Sequence, residues 1–356
     1  MRRGSFVLRI FVRPEIFIYV ALFIFTGAFF VLSSLVQNSG PASPEAIQGG
    51  RDILEHYVNL NGARVLWTFA LFSVGLFAHG VVLWAKAALQ QTDPLTVFTR
   101  QNAVRFLQRT RTILRDVIVV GIPFALAFYS MSMALGPLNV FNATRLRDEL
   151  LFTWDTFLTG TFPPLSLASF QYPGWFVNAV DFSFFYLVPV LTIFGAYLLI
   201  ARPRLFREAA GAFFLSAIIM FAGWTLFPVL SPYYRFVTNE YNLSVPAQVQ
   251  QYVDGWHPQK EIAAFWEKID ASLKDAFVLP TTAIPSAHVV WAVFLAYYSY
   301  RVSKWLLLVS VPFTVLSTIG TNLFAAHYFV DIIAGLLCGG VAIGVAYFLD
   351  KKSETL

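Results

Sequence analysis

The apolar residues of this chain are gathered into runs of about 17–22, the length an α-helix needs to cross the ~30 Å hydrocarbon core of a bilayer. That feature constrains the fold more than any other. A lipid-exposed segment must satisfy its backbone N–H and C=O groups internally, and a run of this length does so only as a helix. Composition agrees: 57% of the 356 residues are hydrophobic and only 13% charged, against about 25% charged in a soluble domain. Eight runs qualify, at 16–36, 65–85, 117–135, 182–200, 209–226, 285–300, 305–324 and 328–349, the sixth being the shortest. The expected fold class is therefore all-α, a polytopic membrane protein of about eight transmembrane helices. The first run is long enough to span, and no small-residue cleavage site clearly follows it, so it reads as an anchor and not a signal peptide.

Basic residues set the expected orientation. An even number of spans puts both termini on one side. That side carries 17 of the 25 Lys/Arg: Arg2, Arg3, Arg9 and Arg13, the segment 86–115, the turns 202–207 and 301–304, and Lys351 and Lys352. The positive-inside bias then places both termini in the cytoplasm. The opposite, extracytoplasmic or lumenal face receives the segments 37–64, 136–181 and 227–284, with most of the acidic residues. A net charge of +5 is explained by this topology, and no nucleic-acid partner is expected. The lone cysteine, Cys338, excludes an intramolecular disulfide and any Cys-based metal site; it lies among small residues and reads as packing.

Two outer segments have character of their own. Residues 136–181 are rich in Trp, Phe, Pro and Gly, and Trp154 and Trp175 are expected at the membrane interface. Residues 260–277 place Ile262, Phe265, Trp266, Ile269 and Leu273 at helical spacing. Such an amphipathic helix either lies on the membrane surface or packs on the rest of its loop.

Alternation of spans brings three polar segments to the outer face. They are 227–235 (Phe-Pro-Val-Leu-Ser-Pro-Tyr-Tyr-Arg), 284–288 (Ile-Pro-Ser-Ala-His) and 327–335 (His-Tyr-Phe-Val-Asp-Ile-Ile-Ala-Gly). His327 and Asp331 are four apart and share one face if helical, so the carboxylate can accept from the imidazole Nδ1–H. That partnership leaves Nε2 with a free lone pair and stabilises the cation formed when Nε2 attacks phosphorus. His288 sits near the start of the sixth span after a proline suited to a first turn. Free backbone N–H groups there, with the Ser286 hydroxyl, suit phosphate oxygens, and Arg235 offers a forked donor for two more. Each residue also has a plainer reading: a structural His–Asp hydrogen bond, a capping histidine, an arginine paired with a headgroup or carboxylate. Ionisable groups at this depth are costly, which favours function. Two histidines and a carboxylate also form a possible metal-ligand set, but phosphohistidine chemistry uses the same groups without one, and no metal or other cofactor is expected. His79, His56 and His257 read as packing or loop residues. Gly335, Gly339, Gly340 and Gly344 give two GxxxG spacings that read as close helix packing.

On these residues the sequence resembles the type 2 phosphatidic acid phosphatase superfamily, and most of all its inositol phosphorylceramide synthase-like branch. Pro285-Ser286-Ala287-His288 is similar to the second motif of that superfamily. His327 through Asp331, with Gly335, is similar to the third, and Trp154-Asp155 through Gly160 and Pro163 is a looser match. The usual lysine seven residues before Arg-Pro is absent: Gly195 precedes Arg202-Pro203, which topology places on the cytoplasmic side. Phe227, Pro228 and Pro232 match the branch's alternative first motif, with Arg235 the nearest cation, and Thr321 stands where an arginine is expected. The resemblance implies a six-helix phosphatase-type core at 117–349 that includes the outer loop 227–284. An N-terminal region, 1–116, would add two helices, and 350–356 would be a cytoplasmic tail.

The resemblance further implies a lipid phosphotransferase or phosphatase in which His327 is the nucleophile, Asp331 orients it, and His288 is acid then base. Arg235 and Ser286 would hold phosphate. The expected partners are a phospholipid or polyprenyl phosphate and, for transfer, a lipid-hydroxyl acceptor. Hydrolysis of a lipid phosphate or polyprenyl (pyro)phosphate is the main alternative; a transporter or scramblase coupling protons through His–Asp is a remote one.

Overall fold

The structure, a computed structural model, describes residues 13–38, 108, 111, 115, 117–238, 243–273 and 281–355. The expected run at 65–85, with His56 and His79, lies outside the described residues. Eleven α-helices are described: α1 Ile16–Asn38, α2 Ile122–Asn142 (entered through a π-helical turn, Val117–Gly121), α3 Asp148–Thr159, α4 Pro163–Ala168, α5 Gly174–Ala201, α6 Pro203–Leu226, α7 Ala247–Asp254, α8 Lys260–Leu273, α9 Ala287–Val302, α10 Leu307–Leu323 and α11 Phe329–Thr355. The only β pairing among the described residues is an isolated bridge, Val229 to Thr282. The fold is an all-α membrane bundle.

Among the described residues six helical segments are long and apolar enough to cross a membrane: Ile16–Val36, Ile118–Asn142, Gly174–Ala201, Pro203–Leu226, Lys304–Leu323 and Phe329–Ser353. They coincide with six of the expected runs, though α5 and α6 begin 8 and 6 residues earlier than the apolar runs they contain. Pro173 and Pro203 set those starts, by preceding or opening a first turn, and the polar residues that follow stay helical. The outer surface is the inverse of a soluble protein's. Phe23 and Trp305 are 81% and 80% exposed, as lipid-facing side chains should be.

The sixth run becomes α9, whose 16 residues extend only about 24 Å. α9 packs against α5, α6, α10 and α11, and of residues 287–302 only Tyr300 is exposed. The bundle is thus built around the helix that carries His288.

α11 reaches α9 through two glycines. A Cβ on Gly335 would stand 2.8 Å from the Val289 Cβ and 2.9 Å from the Ser286 carbonyl oxygen, and one on Gly339 would stand 3.2 Å from Val293. Gly340 and Gly344 would meet nothing within 4 Å. Only the first of the two GxxxG spacings therefore marks a close helix crossing. Gly335→Ala is expected to destabilise the bundle by about 1–3 kcal/mol through overpacking, whereas Gly340→Ala should stay within about 0.5 kcal/mol. Thermal unfolding in detergent checks this; equal effects at the two sites would contradict the crossing.

Of the two readings of the amphipathic segment, packing on the protein is the one observed. In α8, Ile262, Phe265 and Trp266 are buried. Phe265 stacks on Phe324 at 4.0 Å and Trp266 on Tyr233 at 3.7 Å. A Lys268–Asp181 pair at 2.6 Å ties its outer side to α5. α11 runs on through Thr355, and Asp350 within it is held by Arg204 at 2.7 Å. Beside it, buried Glu208 pairs with Arg301 at 2.9 Å. Ion pairs thus close the end of the bundle where α5 passes into α6. Arg202 and Pro203 lie at that same end, a full helix length from α6's other terminus.

Candidate active site

At the opposite end the three expected segments meet. Val229 N–H donates to the Thr281 carbonyl, Tyr233 N–H to Ala325, and Ser286 N–H to Asp331. Trp224, in the last turn of α6, donates from Nε1 to the Pro285 carbonyl at 3.2 Å.

His327 is not helical, contrary to the shared-helix expectation. It lies in the turn between α10 and α11. The chain reverses there through Ala325, whose φ of 49° is in the left-handed region that an alanine rarely adopts. Thr321 and Asn322 hold the reversal. The Thr321 carbonyl accepts from both Ala326 N–H and His327 N–H, and Asn322 Nδ2 donates to the His327 carbonyl at 2.8 Å. Thr321, fully buried, acts here through its backbone.

The His–Asp pairing survives this change of backbone. Asp331 Oδ2 is 3.3 Å from His327 Nδ1 and accepts the Tyr328 N–H at 2.9 Å. Asp331 occupies the third position of α11 and reaches back to the residue before the helix, as in a capping box. One carboxylate oxygen thus faces both the turn and the imidazole.

His288, in the first turn of α9, faces His327 with ring centroids 6.1 Å apart at 63°. Its other side stacks on Phe184 of α5 at 4.0 Å, nearly parallel. Ser286 precedes α9 as its N-cap residue but makes no side-chain cap. Its hydroxyl is fully buried and has no partner among the described residues. With the first N–H groups of α9, which lack intrahelical acceptors, it forms a donor site beside the two rings.

Arg235 is placed differently. It is the one buried Lys or Arg among the described residues. Nη2 donates to the Ser244 carbonyl at 3.0 Å and lies 3.8 Å from Glu149, and the guanidinium acts electrostatically on Asp148. Nη1 has no hydrogen-bond partner among the described residues. The structure therefore brings His327, Asp331, His288 and Ser286 together, and joins Arg235 to them through Asp148 and Tyr328.

That link rests on residues the sequence reading did not assign. Asp148 Oδ1 accepts from Tyr328 Oη at 2.8 Å and from Leu230 N–H at 3.0 Å. Asp155 accepts from Phe329 N–H at 2.8 Å and Val330 N–H at 2.9 Å. Burial raises both carboxyls to about 7, against those hydrogen bonds, which lower them. For Asp155 the available signal was the looser family match at Trp154-Asp155, which carried no role; for Asp148 it was only a second aspartate seven residues earlier in an aromatic segment. Phe184, the ring under His288, carried none, since it is one phenylalanine among 37. His257 is exposed, and Cys338 is buried in helix packing, as expected.

The sequence model of the PAP2 superfamily matches residues 149–345, more than half of the chain. The chain belongs to the PAP2 superfamily. No curated protein and no solved structure matches it. The PAP2 match begins in α3 and ends within α11, so it takes in Asp155, Arg235, Ser286, His288, His327 and Asp331. PAP2 proteins are generally phosphatases, and membership points to lipid phosphatase or phosphotransferase chemistry in a membrane.

Proposed function

We propose that this protein transfers a phospho-headgroup from a phospholipid to a lipid hydroxyl through a phosphohistidine on His327, as in the inositol phosphorylceramide synthase-like branch. The observation that carries the chemistry is the facing pair of imidazoles, one held by a carboxylate. A nucleophile approaches phosphorus at about 3–3.5 Å, and a general acid reaches a leaving oxygen at about 2.6–3.2 Å. Two rings about 6 Å apart are suitably spaced to take opposite sides of one phosphoryl group.

His327 Nε2 attacks phosphorus as the bond to the departing lipid oxygen breaks, and the His288 imidazolium gives that oxygen its proton. Asp331 stabilises the cation on His327. Ser286 and the α9 N–H groups hold the non-bridging oxygens, with Arg235 contributing positive charge. Neutral His288 then takes the proton of the acceptor hydroxyl, whose oxygen attacks phosphorus and frees His327. Water in place of that hydroxyl gives hydrolysis, the reading favoured by the general character of the PAP2 superfamily. Both termini are assigned to the cytoplasm and the site to the opposite face, from the distribution of Lys and Arg.

Product analysis tests this. Purified protein given phosphatidylinositol and ceramide should yield diacylglycerol and a new phospholipid by mass spectrometry. Release of free phosphate from a lipid monoester, with no headgroup exchange, would replace transfer by hydrolysis.

A further inference from the structure

α3 is unusual in what it buries. Phe157 and Leu158 are 85% and 53% exposed, while Asp148 and Asp155 are at 2% and 0%. Seven residues apart, the two aspartates share one helical face, and that face meets the start of α11. The residue preceding α11 is Tyr328, which offers no short side-chain oxygen for the free N–H groups of the first turn. Asp155 supplies that cap from another helix, one oxygen to Phe329 N–H and the other to Val330 N–H. Asp148 holds the Tyr328 hydroxyl, and Asp331 itself takes the Tyr328 N–H. Residues 328–331 are thereby gripped at three successive backbone N–H groups and one side chain, by carboxylates alone.

We propose that Asp155, assisted by Asp148, is a positioning residue of the active site: it fixes the first turn of α11 and, through it, the direction from Asp331 Oδ2 to His327 Nδ1. This inference rests on His327 being the nucleophile. Burying two more carboxylates beside Asp331 is costly if they only hold a helix end. The geometry gives them a further result, because a nucleophile displaced by about 1 Å loses on the order of 10²-fold in rate.

The experiment compares wild-type protein with Asp155→Asn and Asp155→Ala, and with Thr153→Ala on the exposed side of α3 as control. The substrates are phosphatidylinositol with ceramide and the activated diester bis(p-nitrophenyl) phosphate. Asparagine keeps one acceptor and turns its NH2 toward the second N–H; alanine removes both acceptors. Well below each variant's unfolding midpoint, kcat should fall at least about tenfold for Asp155→Asn and further for Asp155→Ala, with KM changed less than about threefold and Thr153→Ala unaffected. Should Asp155→Ala fail to fold, Asp155→Asn carries the test. A wild-type kcat in Asp155→Asn, with only a lowered midpoint, overturns this inference while leaving the proposed function standing. Absence of turnover by wild-type protein on both substrates contradicts the function and the inference together.

Discussion

His327→Gln should lose turnover on the order of 10⁴-fold or more, the scale seen when a catalytic nucleophile is removed, while the protein still folds. The turn that presents the imidazole is held by backbone groups, His327 N–H to Thr321 and His327 C=O from Asn322, and glutamine keeps both. It can also place a neutral donor near Asp331, so the carboxylate is not stranded without a partner. What disappears is the lone pair that forms the bond to phosphorus. Steady-state rates with phosphatidylinositol and ceramide, alongside the thermal midpoint, separate the two effects. A variant within tenfold of wild type would mean that phosphorus is attacked by something else.

His288→Gln should divide substrates by leaving group. A lipid alkoxide departs as a strong base and needs a proton, so loss of a general acid should cost about 10²–10⁴-fold with phosphatidylinositol. p-Nitrophenolate departs without one, and turnover of bis(p-nitrophenyl) phosphate should fall less than about tenfold. The position of His288 supports this role. α9 packs against α5, α6, α10 and α11, and the His288 ring lies with Phe184 stacked under it and His327 facing it. Equal losses with both substrates would assign His288 to phosphate binding and not to proton transfer.

The bundle was largely legible because apolar runs report lipid exposure, and seven of the eight expected spans match described helices, six of them long and apolar enough to cross a membrane. The sixth was the weak one for a physical reason. α9 packs against four other helices and has only 16 residues, so its apolar run was the shortest. The convergence of 227–235, 284–288 and 327–335 followed from alternation of spans alone. The local backbone was harder to read. A four-residue spacing suggested that His327 and Asp331 share a helix, but Thr321, Asn322 and Ala325 force a reversal that only the folded chain displays. Arg235 was assigned by nearness in sequence to the site, yet its partners, Ser244, Glu149 and Asp148, come from segments that folding brings in. Asp148 and Asp155 were visible as aspartates and illegible as caps, because a cap imported from another helix leaves no spacing signature. The amphipathic spacing of α8 could not choose between lipid and protein; stacking of Phe265 on Phe324 and Trp266 on Tyr233 made that choice.

The proposed chemistry requires a covalent bond between phosphorus and one imidazole. Rapid mixing with bis(p-nitrophenyl) phosphate, alkaline quenching and peptide mass spectrometry would locate it. The expected result is a phosphorylated peptide containing His327, acid-labile, formed fast enough to lie on the turnover pathway and lost in His327→Gln. Full turnover with the phosphoryl group on another residue, or on none, would remove His327 as the nucleophile.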